Sequence, residues 1–325
     1  DYHDGRRPSV VRFLRDLTED LARRDLTINA FAWDPVNGVL TDAFGGLEDL
    51  RTGLIRAVGD PATRFAEDGL RTMRAVRFAA TMGFSLAPET QAAIAGALEV
   101  FSKVSRERVR VELVKLLAAS RPSLGLLPMA ATGLWDRVLA PLGEPARAEA
   151  IAAVDRLPAR PMLRLARLLW PIRAERAEVE EVLEQLRPSR DERALVLALT
   201  GEAVDELALA LELTDTQERA IALRRAAAAV GRAVLLERPV LDEVPVLLEL
   251  DDGARAILDA ALEGAALSGK ELAIKGGELI AAGVAEPGKA LGELLEALLD
   301  WVLEDPTRND REQLLARARE QQAQG

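Results

Sequence analysis

Two arginine-rich stretches hold the residue types best suited to chemistry on a phosphorylated ligand. The first is Arg23-Arg24-Asp25-Leu26-Thr27-Ile28-Asn29-Ala30. Adjacent guanidinium forks clamp phosphate oxygens in pairs, and a neighbouring carboxylate accepts a hydrogen bond from a ribose hydroxyl. The same run also suits a charged helix start, with Asp25 near the positive end and Asn29 facing water. The second stretch, Arg64 to Phe78, contains Asp68, Arg71, Arg74 and Arg77. On a helix a step of three residues turns about 60° about the axis. Asp68 and Arg71 are then neighbours, as are Arg71 and Arg74, whereas Asp68 and Arg77 fall on nearly opposite sides. A carboxylate beside a guanidinium can read the Watson–Crick edge of a base: the carboxylate takes an exocyclic amine and the fork meets ring nitrogen or carbonyl. Cytosine and adenine carry that amine; guanine and uracil carry a carbonyl in its place. The spacing fits solvated intrahelical ion pairs, worth a few tenths of a kcal/mol, equally well.

These clusters need elements to position them, and the composition specifies which kind. The chain has 325 residues, 49% hydrophobic but only 4% aromatic, and its dominant Ala, Leu, Glu and Arg favour helices. Val10–Phe13 reads as a short strand and Ile28–Phe31 as helical. The Asp34-Pro35-Val36-Asn37-Gly38 run is a turn that can close a hairpin with Val39-Leu40. Arg64–Met82 is expected as one helix capped by Gly83, Pro88 as the first turn of another, and Ser105–Leu117 as an amphipathic helix. Arg121-Pro122 and the Leu157-Pro158 to Arg160-Pro161 run mark joints between helical segments. A long Ala/Leu/Glu-rich region extends to about residue 250, and a last helix passes through Trp301.

Composition also removes function classes. Zero cysteines exclude disulfides and thiolate metal sites, and the single histidine, His3, leaves no histidine triad or His-rich metal site. No charge-free apolar run reaches the ~18–20 residues of a membrane helix, so a cytoplasmic protein is expected. The net charge of −11 argues against a globally basic nucleic-acid binder. Residues 1–120, however, hold 17 Lys and Arg against 17 Asp and Glu, so the net negative charge lies beyond them. An RNA partner would have to be held by local arginine patches.

Five motifs in order resemble those of the class II tRNA nucleotidyltransferases, the family of CCA-adding enzymes and poly(A) polymerases. They are Asp4-Gly5-Arg6-Arg7-Pro8; Glu19 to Ala30; Asp42-Ala43-Phe44-Gly45-Gly46-Leu47-Glu48-Asp49-Leu50 through Arg56; Arg64-Phe65-Ala66-Glu67-Asp68 to Phe78; and Ser105-Arg106-Glu107-Arg108 to Glu112 with Lys115-Leu116-Leu117. A weaker likeness follows at Lys275-Gly276-Gly277-Glu278-Leu279-Ile280 and Pro287-Gly288. The resemblance implies a mostly α fold: the C-terminal remnant of an α/β nucleotidyltransferase head over residues 1–60, a neck over 61–120, a body over 121–250 and a tail over 251–325. It implies that Arg24 and Asp25 contact the incoming nucleotide and its ribose, that Asp68 and Arg71 act as a protein template for CTP and ATP, and that Arg74 and Arg77 bind further along the nucleotide, towards its phosphates. Gly45-Gly46 and Asp49 match a hinge-like segment, and Glu107, Arg108 and Glu112 a supporting helix.

The implied activity is Mg²⁺-dependent addition of C and/or A to the 3′ end of tRNA. Poly(A) polymerase of the same family and a non-catalytic tRNA-binding helical protein are the alternatives. One departure stands out. The family's metal-binding Asp-x-Asp occurs nowhere in this sequence, and the likeness starts in mid-domain. The chain is therefore expected to be an N-terminally truncated member without metal ligands or catalytic carboxylates of its own, recognising nucleotides poorly and not polymerising them.

Overall fold

The computed structural model describes residues 16–139, 141–234 and 243–324. The fold is mostly helical, with a small strand-bearing region at its N-terminal end, and it forms two compact units, Asp1–Ser189 and Arg190–Gly325. The expected strand at Val10–Phe13, the Asp4–Pro8 motif and His3 lie outside the described residues.

The first unit begins with α1 (Leu17–Ala22), capped by the Asp16 carboxylate on the Thr18 N–H at 2.8 Å. The expected helical stretch at Ile28–Phe31 resolves differently. A single 3-10 turn covers Thr27–Asn29, and Phe31 already opens strand β1 (Phe31–Asp34), which pairs antiparallel with β2 (Val39–Asp42) in the hairpin read from the Asn37-Gly38 turn. A stretch of four residues is too short to hold a helix against a strand partner. The Asp42 carboxylate then accepts the N–H groups of Gly46 and Leu47 (2.8 and 2.9 Å), starting α2 (Gly46–Thr52), and β3 (Leu54–Ile55) follows.

The next stretch corrects a sequence expectation. Arg64–Met82 is not one helix but two, α3 (Pro61–Glu67) and α4 (Leu70–Met82), with Asp68 extended between them at φ −150°, ψ 108°. A close packing contact enforces the break. A Cβ on Gly69 would lie 2.6 Å from the backbone N and Cα of Phe101, so only glycine lets the two backbones meet. Gly83 (φ +72°) ends α4, as expected.

Strand β4 (Ser85–Leu86) runs parallel to β3. Then come α5 (Pro88–Gly96), α6 (Leu98–Phe101), α7 (Arg106–Leu117), α8 (Ser123–Ala131), α9 (Leu134–Val138), α10 (Glu144–Val154), α11 (Pro161–Leu169) and α12 (Arg176–Leu186). Helices α7 and α8 pack on α4, and the fully buried Met73, Val76, Ala80, Leu113, Leu116, Leu126 and Trp135 belong to this core.

The second unit comprises α13 (Arg190–Leu199), α14 (Glu202–Leu211), α15 (Thr216–Val234), α16 (Val244–Leu247), α17 (Asp252–Leu262), α18 (Gly276–Ala281), α19 (Lys289–Glu304) and α20 (Arg311–Gln324). Its long α15 packs against α13, α14, α17 and α19. Charge separates the units. The first holds 27 Lys and Arg against 26 Asp and Glu and the second 15 against 27, so the whole net charge resides in the second. No described helix is long and apolar enough to cross a membrane.

Buried polar ties join the helices of the first unit. Arg164 is 2% exposed and donates to the carbonyls of Leu117 (2.6 Å), Ala119 (2.5 Å) and Leu157 (2.7 Å), covering the ends of α7 and α10. Replacing it by Met strands three buried carbonyls. Each charge-assisted bond is worth about 1.5–3 kcal/mol, so Arg164→Met is expected to lower unfolding stability by roughly 2–5 kcal/mol in a urea titration. A loss under 1 kcal/mol would show that water replaces the guanidinium.

Candidate functional site

The residues singled out from sequence converge where the end of α1 meets the junction of α3 and α4. Asp25, 9% exposed, accepts Arg74 Nε at 2.7 Å and Asn29 Nδ2 at 3.2 Å. The two arginine-rich stretches, 49 residues apart, thus meet through an ion pair. Asn29, one turn beyond Asp25, is a carboxylate partner rather than a solvent-facing residue.

Arg71, 8% exposed, sits at the centre. Its Nη1 donates to the Arg64 carbonyl at 2.9 Å and to Glu67, and its Nη2 donates to the Arg23 carbonyl at 2.9 Å. Glu67 also accepts Arg64 Nη1 at 2.7 Å, so one carboxylate steadies two guanidinium groups. Asp68 and Arg71 do not pair with each other. The Asp68 carboxylate accepts the Leu70 N–H at 3.0 Å and Arg108 Nη2 from α7 at 2.8 Å. Its carbonyl accepts the Arg71 N–H at 3.0 Å, which holds the two residues one turn apart despite the helix break.

Arg77 points elsewhere. Its guanidinium lies 2.6 Å from Glu112 of α7 and 3.6 Å from the centre of the Phe78 ring, and it is 9% exposed. Arg74 approaches the same ring at 5.5 Å. Arg24 is the most solvent-accessible of the set, its side chain 52% exposed and 3.5 Å from Asp20. The structure thus brings Asp25, Asp68, Arg71 and Arg74 around one junction, with Arg24 at its rim and Arg77 behind it.

Sequence reasoning named the junction but not what holds it. Glu67 was legible in principle, since it precedes Arg71 by four residues. The Arg71 bond to the Arg23 carbonyl spans 48 residues and involves a backbone atom, so no side-chain pattern announces it. Beside the site, Asp49 of the expected hinge-like segment is buried and takes the Thr27 hydroxyl at 2.6 Å and Arg56 Nε at 3.2 Å.

The electrostatics favour an anionic ligand. Arg23, Arg24, Arg64, Arg71, Arg74, Arg77 and Arg108 outnumber Asp20, Asp25, Glu67, Asp68 and Glu112. Burial raises the Asp25 pKa, but the Arg74 charge and the Arg74, Asn29 and Leu26 hydrogen bonds outweigh it, leaving the carboxyl below its ordinary range. Burial, aided by Arg74, lowers Arg77 against the pull of Glu112; an arginine stays charged at neutral pH all the same. After their internal bonds Asp68 and Arg71 keep free valence. Each Asp68 oxygen retains a lone pair, and three of the five Arg71 N–H groups are engaged.

Two outcomes test this geometry. Gly69→Ala should force Phe101 and Gly69 apart, shifting Asp68 and lowering stability by about 2 kcal/mol or more; an unchanged melting temperature would refute the close contact. Asp25 is depressed in the folded state, so its pair contributes fully above the unfolded carboxyl pKa of about 3.9 and is lost as pH falls through the folded value. Asp25→Asn should therefore be less stable than the parent at pH 6, with the gap closing as pH falls below the unfolded carboxyl value. A gap independent of pH would show that the pair carries no such linkage.

Comparison with known proteins agrees with this architecture. Residues 1–56 match the poly A polymerase head domain, residues 83–146 the probable RNA and SrmB-binding site of polymerase A, and residues 263–318 a putative tRNA nucleotidyltransferase domain 2. The chain is 37% identical over 322 residues to the CCA-adding enzyme of Limosilactobacillus fermentum, a match that spans 98% of this chain and 76% of that protein. Against the CCA-adding enzyme of Levilactobacillus brevis the identity is 52% over 135 residues, 42% of this chain but only 34% of the relative. Among solved structures it is similar to the Bacillus stearothermophilus CCA-adding enzyme in complex with CTP, at 29% identity and a TM-score of 0.66, over 96% of this chain and 76% of that one. With motifs, fold and end-to-end identity in agreement, the chain belongs to the class II tRNA nucleotidyltransferases, the family of the CCA-adding enzymes.

Proposed function

We propose that this protein works in nucleotidyl transfer from CTP and/or ATP to the 3′ end of tRNA, and that Asp68 and Arg71 select the base. The observation that carries this reading is the free valence on a fixed acceptor and a fixed donor one turn apart. An amine-bearing base edge satisfies both; a carbonyl-bearing edge sets oxygen against carboxylate. Asp25, at the ribose end, and Arg24 and Arg74, towards the phosphates, complete the nucleotide site. Arg77 adds positive charge from behind the Phe78 ring rather than by touching the base. The division into head remnant (1–60), neck (61–120), body (121–250) and tail (251–325), with body and tail holding tRNA, belongs to the same proposal, as does a cytoplasmic location.

Among the described residues no three carboxylates or histidines gather to hold an ion, and the sequence contains no Asp-x-Asp. The described residues do not form the two-metal site such a transfer uses, and nothing in the proposed selection depends on one.

Equilibrium binding of the four nucleoside triphosphates tests the template. Asp68→Asn and Arg71→Lys keep approximate side-chain length but not every internal bond, so the melting temperature of each is measured beside its binding. Each should reduce the preference for CTP and ATP over UTP and GTP by about tenfold, a bidentate pair being worth about 1–3 kcal/mol of discrimination. Unchanged selectivity in both variants would remove Asp68 and Arg71 from base selection.

A further inference from the structure

The hinge-like segment, Gly45-Gly46 with Asp49, lies beside the proposed nucleotide site and seats one part of it. Gly46 opens α2 so close to the 3-10 turn Thr27–Asn29 that a Cβ there would overlap the Thr27 carbonyl and the Phe31 ring. From one turn further along α2, Asp49 takes the Thr27 hydroxyl at 2.6 Å. The Thr27 N–H donates to the Arg56 carbonyl at 3.0 Å, and Arg56 Nε reaches the other Asp49 oxygen at 3.2 Å. Backbone and side chain of the turn are both fixed in this way, and its last residue is Asn29.

The Asn29 side chain reaches back to Asp25. Arg74 Nε holds Asp25 Oδ2 at 2.7 Å, and Asn29 Nδ2 holds Oδ1 at 3.2 Å. The Leu26 N–H adds a third partner. The division between the two oxygens matters because the terminal torsion of an aspartate is broad. A side-chain partner on one oxygen leaves the carboxylate able to swing about its Cβ–Cγ bond; a second partner, on the other oxygen, sets its plane. An ionised carboxyl offers about four acceptor sites, so three partners leave one open. That site has a fixed direction only while the plane is set.

We infer that Asn29 is a positioning residue for sugar discrimination. By setting the plane of the Asp25 carboxylate it aims the open acceptor site at the 2′-hydroxyl of a ribonucleotide, and Thr27, Gly46 and Asp49 keep Asn29 in place. This role rests on the reading above in which Asp25 meets the ribose. A 2′-hydroxyl donates to the aimed oxygen. A 2′-deoxy sugar has no donor there and leaves a buried carboxylate short of a partner. Swinging the carboxylate away costs the ribonucleotide its bond and costs the deoxynucleotide nothing, so the difference between them collapses.

The test is equilibrium binding of CTP and dCTP to the full chain and to its Asn29→Leu, Asn29→Gln and Asp25→Ala variants, with the melting temperature of each. The unsubstituted chain should bind CTP about tenfold more tightly than dCTP, since a hydrogen bond to a charged group is worth about that factor or more. Asn29→Leu has the same branching but no donor. It should cut the ratio to about threefold or less by weakening CTP alone, with dCTP at the parent affinity. The preference for CTP over UTP should stay unchanged, because Asp68 and Arg71 are untouched. Asn29→Gln keeps an amide donor and should retain most of the ratio. CTP and dCTP weakened equally in Asn29→Leu, with a lowered melting temperature, would leave Asn29 a structural role only and overturn the inference. An unchanged ratio in that variant, lost in Asp25→Ala, overturns the positioning role and leaves the ribose reading standing. A ratio that survives Asp25→Ala, or an unsubstituted chain that binds neither nucleotide or both equally, overturns both.

Discussion

The fold buries the guanidinium of Arg71. A buried guanidinium is tolerable only where fixed acceptors surround it. Those acceptors are the Arg64 carbonyl, the Glu67 carboxylate and the Arg23 carbonyl, and each one constrains an element. The Arg64 and Glu67 acceptors require α3 to fold back over the start of α4. The Arg23 acceptor requires the end of α1 to reach the same point, which brings Asp25 within reach of Arg74 one turn further along α4. The hairpin, α2 and the Asp49 ties then follow as the means of delivering α1 to that position.

As the proposed nucleotide site, this junction is formed before any ligand arrives. Side chains already held by internal bonds lose little entropy on binding, so their remaining donors and acceptors act at full effect. The helix break at Asp68 belongs to the same logic. In a continuous helix the Asp68 side chain would be one of several solvated residues on a surface, free to pair with Arg71. Extended and held by Arg108 from α7, it is kept off Arg71, so the carboxylate and the fork remain two separate groups instead of neutralising each other.

What the sequence could reveal follows from which interactions are local. The hairpin turn, the Gly83 cap, the Pro88 helix start and the i to i+3 relation of Asp68 and Arg71 are set by residues a few positions apart, and each was legible. The interruption of the 64–82 helix was not. Every residue from Leu70 to Met82 is compatible with a helix, and Gly69 alone reads as a tolerable weak spot. Its role depends on the Phe101 backbone, 32 residues away, approaching where a Cβ would stand. The placement of Arg77 was half legible: helical geometry set it apart from Asp68, while its Glu112 partner on α7 required the packing of α4 on α7. The order of motifs singled out residues that the fold brings together at one junction.

Net charge stands as the main objection to an RNA-handling role, and its location removes the difficulty. The excess acid lies in the second unit, while the first is balanced almost one to one. At about 0.1 M salt, exposed charges more than roughly 10 Å apart are largely screened from one another. A polyanion therefore responds to its immediate neighbours and not to the net charge of the chain. Within the first unit the carboxylates are committed to particular partners: Asp25 to Arg74, Glu67 to Arg64 and Arg71, Asp155 to Ser123. Each orients donors rather than cancelling a patch, so an acidic protein can still present arginine sites of defined shape. Such sites gain affinity from geometry, without the indiscriminate nucleic-acid binding that a uniformly basic surface brings.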